Sequence, residues 1–92
     1  MVARRVIVRG RVQGVGFRAA MVGAAEARGI VGWVRNRRDG SVEALVQGDA
    51  AAVESILDWC GRGPLGARVT DVSTALVEAS GAIDAFTIRA TE

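Results

Sequence analysis

The residues most suited to chemistry lie in one short stretch, Gly10 to Arg18, with the sequence Gly-Arg-Val-Gln-Gly-Val-Gly-Phe-Arg. The stretch joins a strand-like run to a helix-like run, and its glycines allow the backbone to turn sharply and to approach a ligand closely. The helix that begins behind them presents unpaired N–H groups and a partial positive charge. Arg18 lies at this positive end, where a cation is unfavourable unless an anion is bound nearby. The stretch therefore predicts an anion-binding site.

Asn36 is a second candidate, because it ends the strand-like run Gly32-Trp33-Val34-Arg35-Asn36. In the topology predicted below, this run is parallel to the first strand, so its carboxyl end and the loop after the first strand share one edge of the sheet. An amide accepts a hydrogen bond from water while it donates another, so Asn36 is suited to orient a nucleophile without deprotonating it. Asn is also common in turns. The residues alone leave both interpretations open.

Composition excludes several kinds of chemistry. All twelve basic residues are Arg, and against ten acidic residues they give a net charge of +2, too small to argue for nucleic-acid binding. Without Lys, the chain lacks a nucleotide-binding P-loop and a Schiff-base nucleophile. Without His and with Cys60 alone, it lacks the residues for a zinc site or a Cys–His pair. Catalysis would depend on Arg, carboxylates, amides, hydroxyls or backbone N–H groups.

Hydrophobic periodicity predicts one domain, residues 1–92, with a first strand over Arg4 to Arg9 and a helix over Ala19 to Arg28. Further strands are predicted over 30–36, 41–47, 69–77 and 83–91, and Asp49 is predicted to cap a second helix. The order β-α-β-β-α-β with a short final strand predicts an α+β ferredoxin-like sandwich, in which two helices cover one face of an antiparallel sheet. We expect a compact aliphatic core.

No apolar run approaches the roughly 18 residues of a membrane span, and the N-terminus lacks the apolar core of a signal peptide. We therefore expect a cytoplasmic, soluble protein that has no membrane partner.

A dinucleotide site is one alternative for the glycine stretch. Gly14-x-Gly16-x-x-Ala19 matches a loosened dinucleotide fingerprint, and Asp39 lies twenty residues beyond Ala19. However, a dinucleotide fold requires a second half and a further crossover helix, whereas here the second strand leads directly into a hairpin with Asp39 in its turn. Length and topology therefore argue against a nucleotide.

The chain resembles the acylphosphatase family in two motifs and over nearly its full length. The motifs are Val8-x-Gly10-x-Val12-Gln13-Gly14-Val15-x-Phe17-Arg18 and Gly32-Trp33-Val34-Arg35-Asn36-x-x-x-Gly40-x-Val42. The likeness extends to the Gly63-Pro64 loop with Ala67-x-Val69, and to the closing Phe86-x-Ile88-Arg89. Both motifs are complete and their spacing is specific. The resemblance implies the same ferredoxin-like fold that the patterning predicts.

The resemblance also implies a site. Backbone N–H groups of Gln13, Gly14, Val15, Gly16, Phe17 and Arg18, together with the Arg18 guanidinium, would hold the phosphate of a small-molecule acyl phosphate. Asn36 would position the attacking water, so that Arg18 and Asn36 are the catalytic side chains. The family uses no metal, no cofactor and no covalent intermediate. We expect a monomer with no nucleic-acid partner.

The chemistry of an acyl phosphate agrees with this composition, because its carboxylate leaving group departs without strong acid catalysis and no histidine is needed. Two alternatives remain open. One is a non-catalytic ferredoxin-like module that binds an anion or RNA, although strands one and three lack the aromatic residues that RNA-binding sheets carry. The other is a carbamoyl-phosphate-handling domain of a larger maturation protein. A chain that starts at Met1 and closes its own sheet favours a free-standing enzyme.

Overall fold

The computed structural model describes residues 1–92 as one five-stranded sheet with two helices. The elements in chain order are β1 (Val2–Arg11), α1 (Phe17–Ala27), β2 (Val31–Asn36), β3 (Val42–Gly48), α2 (Ala50–Arg62), β4 (Arg68–Val77) and β5 (Phe86–Ile88). The strand order across the sheet is β4-β1-β3-β2-β5. The predicted α+β ferredoxin-like sandwich with an added C-terminal strand is therefore confirmed.

The sheet is mixed, whereas the sequence predicted an antiparallel sheet. The β1–β3, β1–β4 and β2–β3 pairs are antiparallel, but β5 pairs parallel with β2. The reason lies in the last connection, which carries the chain from β4 at one edge to the opposite edge. There β5 meets a strand that runs in its own direction. Three backbone hydrogen bonds continue this pairing beyond β5. Arg89 N donates to Val34 O (2.9 Å), Glu92 N donates to Asn36 O (3.0 Å), and Arg38 N donates to Glu92 O (2.9 Å).

The core lies between one face of the sheet and the two helices. Alternate residues of each strand point to this face, and residues three or four apart do so on each helix. On β3, Val42, Ala44 and Val46 are fully buried, as their spacing predicts. The helices add Phe17, Met21 and Ala25 from α1, and Val53, Ile56 and Cys60 from α2. Burial raises the pKa of the Cys60 thiol to about 12, so the thiol stays protonated at neutral pH.

Several element boundaries differ from the predictions, and one predicted helix cap makes no hydrogen bond. Helix α1 begins at Phe17, two residues early, because the Gly16 carbonyl already accepts a hydrogen bond from Ala20 N (3.0 Å). Asp49 occupies the N-cap position of α2, but its side chain makes no capping hydrogen bond. Strand β5 comprises only Phe86–Ile88 of the predicted 83–91. Neither helix has the length and hydropathy needed to cross a membrane.

The opposite face of the sheet carries a charged cluster around Glu43, whose side chain is only 2% exposed. Arg5 and Arg35 hydrogen-bond to the two oxygens of this carboxylate, the latter at 2.7 Å, and Arg37 lies 3.8 Å away. Burial alone would raise the pKa of Glu43, but the hydrogen bonds from Arg35 and Arg5 offset this effect and leave the pKa below its ordinary value. Glu43 is therefore a buried anion that arginines stabilise.

Trp33 lies half-buried on the same face, at the β2–β5 side of the sheet. The guanidinium groups of Arg35 and Arg89 each lie 4.7 Å from the centre of a Trp33 ring, within the range of a cation–π interaction. Trp33 is a partly buried sheet residue covered by its own neighbours.

Candidate active site

The loop from Gln13 to Arg18 connects β1 to α1 and has an unusual backbone. Gly14 and Gly16 adopt φ angles of 73° and 77°, in the left-handed region that favours glycine. A Cβ atom at either position would meet nothing within 4 Å, so the requirement for glycine comes from backbone conformation and not from lack of space. These conformations shape the concave turn that leads into the helix.

The backbone N–H groups of this loop have no acceptors in the protein. From Gln13 to Arg18, none donates a hydrogen bond to a backbone carbonyl or to a side chain. Consecutive free N–H groups at a helix start form a concave donor set that suits an anion. We call residues 13–18 the cradle.

A cleft of about 220 Å³ brings the cradle together with the two predicted catalytic side chains. Arg18, in the first turn of α1, lines the cleft and pairs with no carboxylate of the protein. Asn36 lines it from the end of β2, and its side-chain amide makes no hydrogen bond within the protein. Among the predicted cradle residues, Gln13, Gly14, Gly16 and Phe17 also line the cleft. Val15 does not line it and packs against the core instead.

The sheet topology accounts for the proximity of Arg18 and Asn36. Because β1 and β2 are both antiparallel to β3, they run in the same direction, and their carboxyl ends lie at the same edge. The cradle follows β1 and Asn36 ends β2. The cradle and the Asn36 amide therefore lie side by side because of the strand order, which local sequence alone does not determine.

The Gln13 side chain joins the cradle to the β2–β3 hairpin. Its Nε2 donates hydrogen bonds to Arg37 O (2.7 Å) and to Ser41 O (2.9 Å). Within the turn, Arg37 N donates to Ser41 O (2.8 Å), and Asp39 Oδ1 accepts from Ser41 N (2.9 Å) and from the Ser41 hydroxyl (2.6 Å). These bonds from Ser41 hold the pKa of Asp39 below its ordinary value. From the sequence, Gln13 was predicted to contribute only its backbone N–H group.

The cleft is also lined by three residues that were not predicted as site residues: Val12, Ala19 and Ile88. Ile88 is 48% exposed and supplies an apolar surface at the cleft. Ile88 comes two residues after the buried Phe86, so the two side chains lie on the same face of β5. Its position at the cleft, however, depends on the pairing of Ile88 with Val34 on the neighbouring strand β2. That pairing joins segments far apart in sequence.

Arg18 is the one charged side chain that lines the cleft. No group of three or more His, Cys, Asp or Glu side chains is arranged to hold a metal ion. The guanidinium and the free N–H groups provide positive potential, and the Asn36 amide provides both a donor and an acceptor. The arrangement is able to bind a small anion and to orient a neutral molecule beside it.

Comparisons with known proteins give the family of this chain. A family model described as Acylphosphatase matches residues 4–88. The acylphosphatase of Acidiphilium cryptum is 55% identical over 78 residues, which are 85% of this chain and 86% of that protein. The crystal structure of acylphosphatase from Bacillus subtilis has a TM-score of 0.92 at 39% identity, covering 97% of this chain and 99% of that one. HypF from T. kodakarensis has a TM-score of 0.84 at 27% identity, but only 12% of its chain is covered. This chain belongs to the acylphosphatase family.

Proposed function

We propose that this protein hydrolyses the carboxyl–phosphate bond of acyl phosphates in the cleft shared by Arg18 and Asn36, and that residues 1–92 form one acylphosphatase-like domain. The observation that carries the proposal is the coincidence of free N–H groups, an unpaired guanidinium and an unpaired amide in one cleft. The products are a carboxylate and inorganic phosphate. Membership of the family supports the same reaction.

In this proposal the cradle holds the phosphate. The N–H groups of residues 13–18 donate to its non-bridging oxygens, and the Arg18 guanidinium forms a bidentate contact with two of them. Phosphoryl transfer through a loose transition state requires mainly positioning and stabilisation of charge on these oxygens. Donors fixed by the loop backbone supply this stabilisation without reorganising during the reaction.

Asn36 positions the attacking water. Its side-chain oxygen accepts a hydrogen bond from the water, which attacks phosphorus in line with the leaving carboxylate. The new O–P bond forms while the bond between phosphorus and the acyl oxygen breaks, and the water's proton passes to solvent or to the phosphate product. The leaving carboxylate is a weak base, so its departure requires no general acid.

The acyl group projects from the cradle into a cleft with an apolar surface. Ala19 and Ile88 supply this surface, and both are exposed enough to contact a bound molecule. We propose a cytoplasmic monomer that requires neither a metal cofactor nor a nucleic-acid or membrane partner.

The test compares benzoyl phosphate with p-nitrophenyl phosphate as substrates for the chelator-treated protein. We expect hydrolysis of benzoyl phosphate and poor hydrolysis of the ester, because the ester has the less activated leaving group. Asn36→Ala is expected to lose about 10²-fold in kcat, since water orientation matters on the way to the transition state. Equal rates on both substrates, or an Asn36→Ala variant with full kcat, would contradict the proposal.

A further inference from the structure

Gln13 contributes to the site in two ways. Its backbone N–H belongs to the cradle, while its side chain extends to the hairpin that carries Asn36. A side-chain amide nitrogen has two protons, and here both are used, at 2.7 Å to Arg37 O and at 2.9 Å to Ser41 O. The side chain is partly buried, so solvent competes only weakly for these bonds.

The two acceptors belong to a turn that is itself well fixed. Arg37 directly follows Asn36, and its N–H bonds to the same Ser41 carbonyl that Gln13 uses. The Asp39 carboxylate accepts two hydrogen bonds from Ser41, one from its N–H and one from its hydroxyl. The Gln13 bonds are the only hydrogen bonds between residues 12–18 and residues 36–41. They therefore connect the cradle directly to the turn after Asn36.

We propose that the Gln13 side chain is a positioning residue that fixes the Asn36 amide relative to the cradle. The inference rests on the proposed function, in which the amide orients water towards a phosphate held by residues 13–18. In-line attack is sensitive to small displacements, and a shift of about 1 Å is able to cost about 10²-fold in rate. Loss of the Gln13 bonds would therefore slow the chemical step while leaving the backbone donors that bind phosphate.

Gln47 provides a matched control for this substitution. Gln47 is buried, whereas Gln13 is partly buried, and the Gln47 side chain also makes two hydrogen bonds to another segment. It donates to Ser80 O (2.7 Å) and accepts from Ser80 N (2.8 Å). It lies on β3 and does not line the cleft. Gln47→Met and Gln13→Met both remove a side-chain amide that links two segments, but only the second affects the link to Asn36.

The experiment measures kcat for benzoyl phosphate and inhibition by inorganic phosphate. We expect Gln13→Met to lower kcat by about tenfold or more and to leave the phosphate inhibition constant within about twofold of wild type. Gln47→Met is expected to lower thermal stability without lowering kcat. Gln13→Asn is one methylene shorter and also loses both contacts, so it provides the same test if the Met variant does not fold.

A double-mutant cycle of Gln13→Met with Asn36→Ala distinguishes a positioning role of Gln13 from a general loss of structure. If Gln13 acts through Asn36, then Gln13→Met changes kcat by less than about twofold in the Asn36→Ala background. Additive losses, an unchanged kcat in Gln13→Met, or a phosphate inhibition constant that rises in step with the kcat loss would overturn the inference. Wild-type protein inactive on benzoyl phosphate, or Asn36→Ala with full kcat, would overturn the proposed function and the inference with it.

Discussion

Arg18 lies in surroundings that favour a bound anion. A guanidinium in the first turn of a helix lies near the positive end of the helix dipole, which is unfavourable without a neighbouring anion. No carboxylate of the protein pairs with it, and its surroundings are free backbone N–H groups. The local electrostatics are therefore unfavourable without a bound anion and become favourable when phosphate binds.

Arg18→Lys tests this role, because an ammonium group keeps the charge but not the bidentate geometry. We expect kcat/KM to fall by about 10-fold to 100-fold, the effect of losing one charge-assisted hydrogen bond, and inhibition by inorganic phosphate to weaken in parallel. Arg38→Lys is the matched control, since Arg38 is exposed in the turn and outside the cleft. An Arg18→Lys variant inhibited by phosphate as strongly as wild type would show that Arg18 is not the ligand.

At the scale of elements, the pairing of β2 with β3 determines where Asn36 lies. Gly32, in the middle of β2, has a φ of 142°, and a Cβ atom there would lie 1.8 Å from the carbonyl oxygen of Leu45 on β3. No side chain fits at that position without separating the strands. The glycine is therefore a requirement of the β2–β3 interface, although it does not line the cleft.

Gly32→Ala is accordingly expected to reduce the free energy of unfolding by about 2 kcal/mol or more, through steric overlap and backbone strain. Gly23→Ala, in the exposed part of α1 where a Cβ meets nothing within 4 Å, is expected to raise it by up to about 1 kcal/mol. Urea unfolding of the two variants measures both effects. A change of the same sign in the free energy of unfolding of both variants would contradict this explanation.

Hydrophobic periodicity in the sequence predicted the strands and helices but not all of their first and last residues. Alternation on β3 identified the buried residues Val42, Ala44 and Val46 correctly, because this period depends only on which face of the strand meets the core. The early start of α1 depends on the left-handed conformation of Gly16, and the parallel pairing of β5 depends on a strand about fifty residues away. The Gln13 side-chain bonds and the place of Ile88 were missed for the same reason, since both depend on contacts between distant segments.

At the scale of the whole molecule, the cluster around Glu43 joins three parts of the sheet. Arg5 comes from β1, Arg35 from β2 and Glu43 from β3, and Glu92 adds a second carboxylate 2.9 Å from Arg35. Removing one partner from such a buried group leaves charge without compensation, which is strongly destabilising. The cluster thus couples the protonation state of one carboxyl to the stability of the sheet.

The sign of this coupling follows from the lowered pKa of Glu43. The unfolded chain binds the proton at a higher pH than the folded protein, so the stabilisation is present above the ordinary carboxyl pKa of about 4.3 and is lost as pH falls through the folded value. Asp39 contributes in the same direction. We expect the free energy of unfolding, measured with urea between pH 2 and pH 7, to depend less on pH for Glu43→Gln than for wild type. The same pH dependence in both proteins would contradict this coupling.

Strand β1 pairs with β4, a strand that the ribosome synthesises much later. Ala3 lies opposite Val77, so the first strand finds its second neighbour only after more than seventy further residues have been made. At translation rates of about 5–20 residues per second, this takes roughly 4–15 s. During that time one edge of β1 is unpaired, and an unpaired strand edge is prone to pair with other chains and aggregate. A ribosome-associated chaperone that shields the first strand would therefore have most effect in this interval.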